Sequence, residues 1–488
     1  MKDINYASYI INNQSDKIAV IDDDRKITYV ELGSYVRKFA HHLIKAEILP
    51  GDRIVISMQD RFEWIVGFLG CLYMGAVPVV ISPFVKPVKF NEALQTTRAR
   101  AAIYDDPDLG EYVKGKKFLP EDIFREQVYE LVDAYMFDPD EIGIIATSSG
   151  TTGKQKYVVH RHKNLSNYHA LVVDTLEIDQ YTVLFSTAKL SFVYGLNLAI
   201  TASLGQGGTT VLTKKKLTQN LIVNTIKQHN VTHFFTTPGV LGIIVSKVTE
   251  PVALSSIKLA SCCSEPYPSV LAEKFKTYYG YDLINGYGMS ETLSMICSMT
   301  RTTKQTGDSR VVGKPFPGVT VEIRNEQGEM CKPNEVGELY VNHPCMATFY
   351  WNNWTKTKET FQGQWVKSND LVFQNDDGDI VYICRKDDMV KINGILVSII
   401  EVEKTIMEHP LVEDCVVTVE KNNIGLAKLG TKIIPKQDNI DITDIRHYLS
   451  KILESCKIPK YIELVEEIPI ELVTKIERTV TDKKIRFV

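Results

Sequence analysis

The chain has no basic tail, no CxxC pair and no phosphate loop of the GxxxxGK[ST] spacing. Each absence excludes something. With 56 Lys plus Arg against 60 Asp plus Glu and a net charge of -4, no basic tail or stripe offers a footprint for nucleic acid. The 9 cysteines are scattered, adjacent only at Cys262 and Cys263, and their odd number argues against a disulfide framework. Reduced thiols in a cytoplasm fit this usage. The start of the chain carries no basic-then-apolar leader pattern, which points the same way. One apolar stretch approaches membrane-spanning length, Trp64 to Ile81, but Gly67, Gly70, Gly75 and Pro78 interrupt it. It reads as a buried helix running into a core strand, so no membrane partner is expected.

What is present is an ordinary globular composition, 44% hydrophobic and 24% charged over 488 residues, long enough for about two to four domains. Thr28 to Glu31 reads as a capping box ahead of Leu32, Val36, Phe39, Ala40 and Leu43 at helical spacing. Apolar runs at 53–57, 76–81, 101–104, 142–146, 183–186, 209–212 and 233–236 read as strands. Helical patterns at 62–74, 164–175, 196–204 and 219–229 alternate with them. That alternation predicts parallel sheets with covered faces, in two doubly wound layers. After residue 310 the pattern changes to short β candidates at 319–323, 337–341, 365–367, 371–374 and 380–383, which fit a small barrel or a distorted sheet. A charged break, Arg385-Lys386-Asp387-Asp388, precedes a helix at 398–408, strands at 412–419 and 428–434, and a helix at 442–453. The expected fold is therefore a multidomain α/β protein. Its core, 1–384, holds two doubly wound α/β subdomains and a small β-barrel, its joint falls at 385–388, and a small α+β domain spans 389–488.

The most informative segment is Thr147-Ser148-Ser149-Gly150-Thr151-Thr152-Gly153-Lys154-Gln155-Lys156. It follows a buried strand and sets hydroxyls, two glycines and two lysines side by side. Glycines let the backbone turn tightly and present bare N–H groups, which suits a polyphosphate. A flexible surface turn has the same composition. Asn285-Gly286-Tyr287-Gly288-Met289-Ser290-Glu291 combines an aromatic face, a hydroxyl and a carboxylate, suited to stacking a base and holding a divalent ion, or to a strand-to-helix turn capped by Ser290. Ser368-Asn369-Asp370 offers a carboxylate to a sugar diol, or makes an Asx turn.

Taken in order, these segments resemble the adenylate-forming (ANL) superfamily of acyl- and aryl-CoA synthetases, peptide-synthetase adenylation domains and luciferases. The resemblance spans nearly the whole chain. It adds Gly75-Ala76-Val77, Gly337-Glu338-Leu339, Arg385 to Asp388, Glu401-x-Glu403 and Lys475-x-x-Arg478. Within the superfamily, the segments 185–195 and Phe349-Tyr350-Trp351-Asn352-Asn353 are similar to benzoate-CoA ligases.

The resemblance implies activation of a carboxylic acid with ATP and Mg2+ through an acyl-adenylate, followed by transfer to a thiol. The acid would be a small aromatic one, a benzoate or a hydroxybenzoate, and the thiol that of coenzyme A. A carrier-protein phosphopantetheine, loaded with an aryl or fatty acyl group by a stand-alone enzyme, is the alternative acceptor. A catalytically silent nucleotide- or acyl-binding homologue is a third reading. The resemblance also implies roles, residue by residue. Ser148, Ser149, Gly150, Thr151, Thr152, Gly153 and Lys156 would hold the phosphates, and Glu291 the magnesium. Tyr287 would stack on adenine, with Ser264, Glu265 and Pro266 along its edge and Asn285, Gly286, Gly288, Met289, Ser290 and Tyr382 around the nucleotide. Asp370 and Arg385 would take the ribose. Lys475 would bridge the attacking carboxylate and the α-phosphate, with Asp387 as the hinge of a mobile 389–488 lid. Phe192, Val193, Tyr194, Gly288 and Ser294 would line the acid, and Lys391, Asn393 and Gly394 the thiol side. A monomer or homodimer is expected.

The chain departs from the family pattern in places. Gln155 replaces a proline, and Ser264, Asn369, Cys384 and Thr474 stand where glycine is usual. Ser294 stands where benzoate ligases tend to have histidine. Each change spares the charged groups and alters their backbone support or the pocket wall.

Overall fold

The structure is a computed structural model. It describes every residue except 1–3, 13–14, 125–131, 149–154, 247, 249, 268, 301–302, 304–307, 309, 387–388, 393–394, 422–426, 438–440, 456, 469–478 and 481–488. The chain divides into two compact units. The first comprises Met1–Ser148, Lys156–Ser368 and Phe373–Tyr382; the second comprises Ser149–Gln155, Asn369–Val372 and Ile383–Val488.

The first unit opens on a hairpin, β1 (Ile18–Asp22) and β2 (Arg25–Thr28). The helix Tyr29–Lys45 follows, begun by the expected capping box. Thr28 N–H donates to Glu31 Oε2 at 2.8 Å, and the Glu31 N–H donates to Thr28 Oγ1 at 3.2 Å. Such a cap contributes about 1 kcal/mol. Next come β3 (Arg53–Ser57), β4 (Val77–Val80), β5 (Ala101–Tyr104), β6 (Lys116–Phe118), β7 (Ile142–Ser148) and β8 (Lys156–Arg161). β3 to β7 are parallel and β8 runs back along β7. The helix Phe62–Tyr73 is buried along all 12 residues, which explains its membrane-like hydropathy. Among the described residues no helix is long and apolar enough to cross a membrane.

The second layer of this unit contains β9 (Val183–Ser186), β10 (Thr209–Leu212), β11 (His233–Thr236), β12 (Leu259–Cys263), β13 (Ile284–Met289), β14 (Ser294–Ser298) and β15 (Val311–Pro315). Its order is β15-β14-β13-β12-β11-β9-β10-β1-β2. β13 through β1 are parallel, and β14 and β15 are antiparallel additions. The helix expected at 196–204 begins earlier, at Val193–Leu196, and passes into a buried π-helical stretch, Asn197–Leu204.

The short strands beyond residue 310 are β16 (Thr320–Arg324), β17 (Gly337–Asn342), β18 (Phe349–Tyr350), β19 (Phe361–Gln362), β20 (Trp365–Gln374) and β21 (Ile380–Arg385). Here the small barrel is corrected. β18 joins the smaller sheet beside β8, and β16-β17-β20-β21 continue the large sheet through β15, giving 14 strands and no closed barrel among the described residues. The two strands expected at 365–367 and 371–374 are one, because burial alternates with period two straight through Asn369.

In both layers the chain leaves a central strand to one side and returns on the other: β3 lies between β4 and β5, and β9 between β10 and β11. Open α/β sheets form their ligand crevices outside the carboxyl ends of strands at such switch points.

The second unit has its own core, including Val402, Ile406, Val417, Ile433, Ile445 and Leu449. Its helices Ile399–Met407 and Ile442–Ile452 are capped by Ser398 and Asp441. They accompany the sheet formed by Val412–Lys421, Ala427–Pro435, Tyr461–Leu464 and Thr479–Val480.

Candidate active site

β7 ends at Ser148, paired in register with Lys156 at the start of β8. Ser149, Gly150, Thr151, Thr152 and Gly153, between them, lie outside the described residues. The Lys156 ammonium stands 5.3 Å from the centroid of the Tyr350 ring, a favourable cation–π distance. The Tyr350 hydroxyl donates to Glu291 Oε1 at 2.6 Å, a short bond to a carboxylate that is only 7% exposed. Lys156, Tyr350 and Glu291 thus form one connected chain.

The backbone around Glu291 is held just as firmly. A short turn, Ser290–Thr292, joins β13 to β14. Ala347 N–H donates to the Glu291 carbonyl at 2.8 Å. His160 Nε2 donates to the Ser290 carbonyl at 2.8 Å, and its Nδ1 faces Asn164 Nδ2 at 3.2 Å. Burial pushes the His160 pKa down to about 4, so the ring stays neutral in the one tautomer that serves both partners. A side chain at Gly288 would place its Cβ 1.8 Å from the Ser294 carbonyl oxygen, so only glycine allows β14 to approach. Ser290 caps no helix.

Among the residues expected around the nucleotide, the rings of Tyr287 and Tyr382 lie 6.0 Å apart at 36°. Tyr287, Met289 and Ser290 are partly exposed and Gly288 is exposed, forming a rim at the end of β13. Asn285 is a staple: it donates to the Val311 carbonyl at 3.1 Å and accepts from the Gly286 N–H at 2.9 Å. Ser264, Glu265 and Pro266 are exposed just past β12.

In the second unit, the Asp370 carboxylate is 6% exposed and pairs with Arg385 Nε at 3.3 Å. Lys391 lies in the strand Met389–Ile392. Asp387, Asn393, Gly394 and Lys475 lie outside the described residues.

The residues expected to line the acid follow β9, at the switch point. Thr187 Oγ1 meets Thr236 Oγ1 at 2.9 Å, tying the carboxyl ends of β9 and β11 together. Phe192 is 52% exposed, so it is no core aromatic. Val193 is half-buried, while Tyr194 is buried and meets Phe235 edge-on at 6.3 Å. Ser294 is buried at the start of β14.

Sequence reasoning missed the residues that hold these walls. Asp60, just past the carboxyl end of β3, accepts from the Leu190 N–H at 3.0 Å and pairs with Lys189 Nζ at 3.4 Å. It therefore fixes the loop leading to Phe192. Asn197 donates to the Val193 carbonyl at 2.8 Å and to the Leu293 carbonyl at 3.0 Å, joining the two walls. Neither has a local sequence signal, since each partner is far along the chain. Tyr350 falls within a segment already singled out at 349–353.

The family of AMP-binding enzymes matches residues 9–351. The chain belongs to that family. Benzoate–CoA ligase of Thauera aromatica is 29% identical, over 96% of this chain and 93% of the relative. The 4-hydroxybenzoate–CoA/benzoate–CoA ligase of Rhodopseudomonas palustris is 25% identical, over 96% and 91%. Among solved structures, a benzoate CoA ligase from Burkholderia xenovorans superposes with a TM-score of 0.84 at 29% identity, covering 97% of this chain and 99% of that one. An anthranilate CoA ligase in complex with anthranoyl-AMP also gives 0.84, at 26% identity and 96% and 95% coverage.

Proposed function

We propose that this chain is an ATP-dependent, AMP-forming acid–thiol ligase that activates a small aromatic carboxylic acid and transfers it to coenzyme A. The observation that carries the reading is the connected Lys156–Tyr350–Glu291 chain, whose Lys156 closely follows the hydroxyl- and glycine-rich segment 147–153 in the sequence. Coenzyme A is the favoured acceptor because relatives matched over most of their length are named CoA ligases.

The chemistry follows from charge. A carboxylate oxygen attacks the α-phosphorus of ATP, pyrophosphate leaves, and an acyl-adenylate forms. The thiolate of the second substrate then attacks the acyl carbon, and AMP departs. In the first step an anion approaches a polyanion, so fixed cations and donors must offset the repulsion; losing one such group costs about 100- to 1000-fold in rate. Lys156 and the segment 148–153 cradle the β- and γ-phosphates. Tyr287 and Tyr382 offer aromatic faces to adenine, with Ser264, Glu265 and Pro266 at its edge. Asp370, held by Arg385, accepts the ribose hydroxyls. Lys475 contributes its ammonium to the α-phosphate and the attacking carboxylate.

Glu291 suits magnesium. Tyr350 engages Oε1 and the carboxylate offers Oε2, while among the described residues no group of three or more His, Cys, Asp or Glu gathers. Magnesium is commonly held this way, by one or two carboxylates with substrate phosphates and water completing the shell. When bound it neutralises phosphate charge.

The units divide the labour. The second unit delivers Lys475 for adenylation, then turns about the segment 385–388, at Asp387, and presents Lys391, Asn393 and Gly394 to the thiol. Such closure also keeps water from a labile adenylate.

Acid-dependent exchange between ATP and pyrophosphate tests this reading. The wild-type chain is expected to catalyse it with aromatic acids, and Lys475→Ala to lose it by at least about 100-fold while still converting a supplied acyl-adenylate to thioester. No exchange with any acid overturns the ligase reading; equal loss of both half-reactions overturns the role of Lys475.

A further inference from the structure

Among the residues expected to line the acid and their neighbours, buried hydroxyls stand without hydrogen bonds. Ser191 is 2% exposed, Tyr194 7% and Tyr168 0%, yet none of their hydroxyl oxygens makes a hydrogen bond among the described residues. The Tyr194 hydroxyl lies beside the Cys263 thiol and the Ser261 hydroxyl, short of hydrogen-bonding geometry. Those two contact each other at 3.3 Å. The Tyr168 hydroxyl lies beside Ser294 in the same manner.

The placement of these groups matters as much as their isolation. Cys263 ends β12 and Ser261 lies two residues before it, next to the switch-point strands. Tyr194 sits two residues behind the exposed Phe192, and Ser294 opens the strand that follows Glu291. The Tyr194 hydroxyl therefore lies near the carboxyl ends of β11 and β12, where an open α/β sheet takes its ligand. Burying a hydroxyl without a partner costs about 1 to 3 kcal/mol. Such a cost persists where a ligand provides the partner that the protein withholds. Burial pushes the pKa of the Tyr194 hydroxyl and of the Cys263 thiol up, so both remain protonated, neutral donors near neutral pH.

We propose that the acid pocket reads a hydrogen-bonding ring substituent through Tyr194, backed by Ser261 and Cys263, so that the enzyme selects a hydroxy- or amino-substituted aromatic acid over unsubstituted benzoate. This deepens, and rests on, the acid-activating role proposed above. An unsubstituted ring leaves the Tyr194 hydroxyl buried and unpaired in the complex. A hydroxyl or amino group meets it. Sites built to bond a substrate hydroxyl discriminate far more strongly than apolar pockets discriminate by size.

The test compares benzoate with its methyl, hydroxy and amino derivatives at the ortho, meta and para positions. The methyl acids match the hydroxy acids in size and lack the hydrogen bond. In the exchange assay, at least one hydroxy or amino acid is expected to exceed both its methyl counterpart and benzoate by about 100-fold in kcat/KM. Tyr194→Phe, which keeps the ring, is expected to compress that ratio to below about 10-fold, and Cys263→Ala to shift it in the same direction. A methyl acid equal to or better than every hydroxy and amino acid overturns the proposal, as does a ratio that neither variant changes. Calorimetric titration of the same acids without ATP reads the pocket separately. If no acid supports exchange, tighter binding of a substituted acid, lost in Tyr194→Phe, still supports the pocket assignment. Equal binding of all acids, or none, overturns it.

Discussion

The proposed nucleotide side and the proposed acid side of the first unit are built differently. On the nucleotide side the side chains are already paired: Lys156 over Tyr350, Tyr350 on Glu291, His160 on the Ser290 carbonyl. On the acid side the backbone is tied down by Asp60, Asn197 and the Thr187–Thr236 contact, while the hydroxyls of Ser191, Tyr194 and Tyr168 are left open. The difference teaches where each kind of rigidity is useful. Charge that develops on a phosphate is best met by groups whose orientation is settled beforehand. Choice among similar acids needs donors that are positioned but not yet satisfied.

That contrast can be broken from either side. Tyr350→Phe removes the hydroxyl that orients Glu291, and hydrogen bonds to charged groups contribute about 1.5 to 3 kcal/mol. The expected result is a fall of about 10- to 100-fold in acid-dependent exchange, with KM for magnesium-ATP raised and KM for the acid unchanged. A change confined to the acid KM contradicts the assignment of Tyr350 to the nucleotide side. A smaller and opposite pattern is expected for Asp60→Ala, which frees the loop before Phe192. KM for the acid should rise about 5- to 10-fold, the loss expected for one buried hydrogen bond, with KM for ATP unchanged. Asp60→Asn, still able to accept from the Leu190 N–H, should restore most of it. Parallel changes in both KM values, or no rescue, mark Asp60 as a general stabiliser rather than a positioning residue.

Much of the frame was legible in the sequence because parallel strands buried on both faces read as continuous apolar runs. β3, β5, β9, β10 and β11 fall where those runs place them. The small barrel was not legible. Short strands beyond residue 310 declare their existence through alternation and turn residues, but nothing local states which neighbour each pairs with, and here they extend an open sheet. The same limit hid the contact of Asp60 with Leu190 and that of His160 with Ser290, each between residues 130 apart in the chain. The departures from glycine were visible, but their consequence was not. Ser264 keeps a φ of 99° and Asn369 a φ of 65°, so the backbone holds the conformation that glycine favours although the residue has changed. Asn tolerates the left-handed region better than Ser, so more strain resides at Ser264. Cys384 instead lies buried in the strand β21 and has no positive φ.

Turnover of an acid whose carboxylate carries a heavy oxygen isotope tests acyl-adenylate formation most directly. If a carboxylate oxygen attacks the α-phosphorus and the thiol later attacks the acyl carbon, one labelled oxygen per turnover leaves in the phosphoryl group of AMP. Label found in inorganic phosphate or pyrophosphate, or in neither those products nor AMP, contradicts the route through an adenylate.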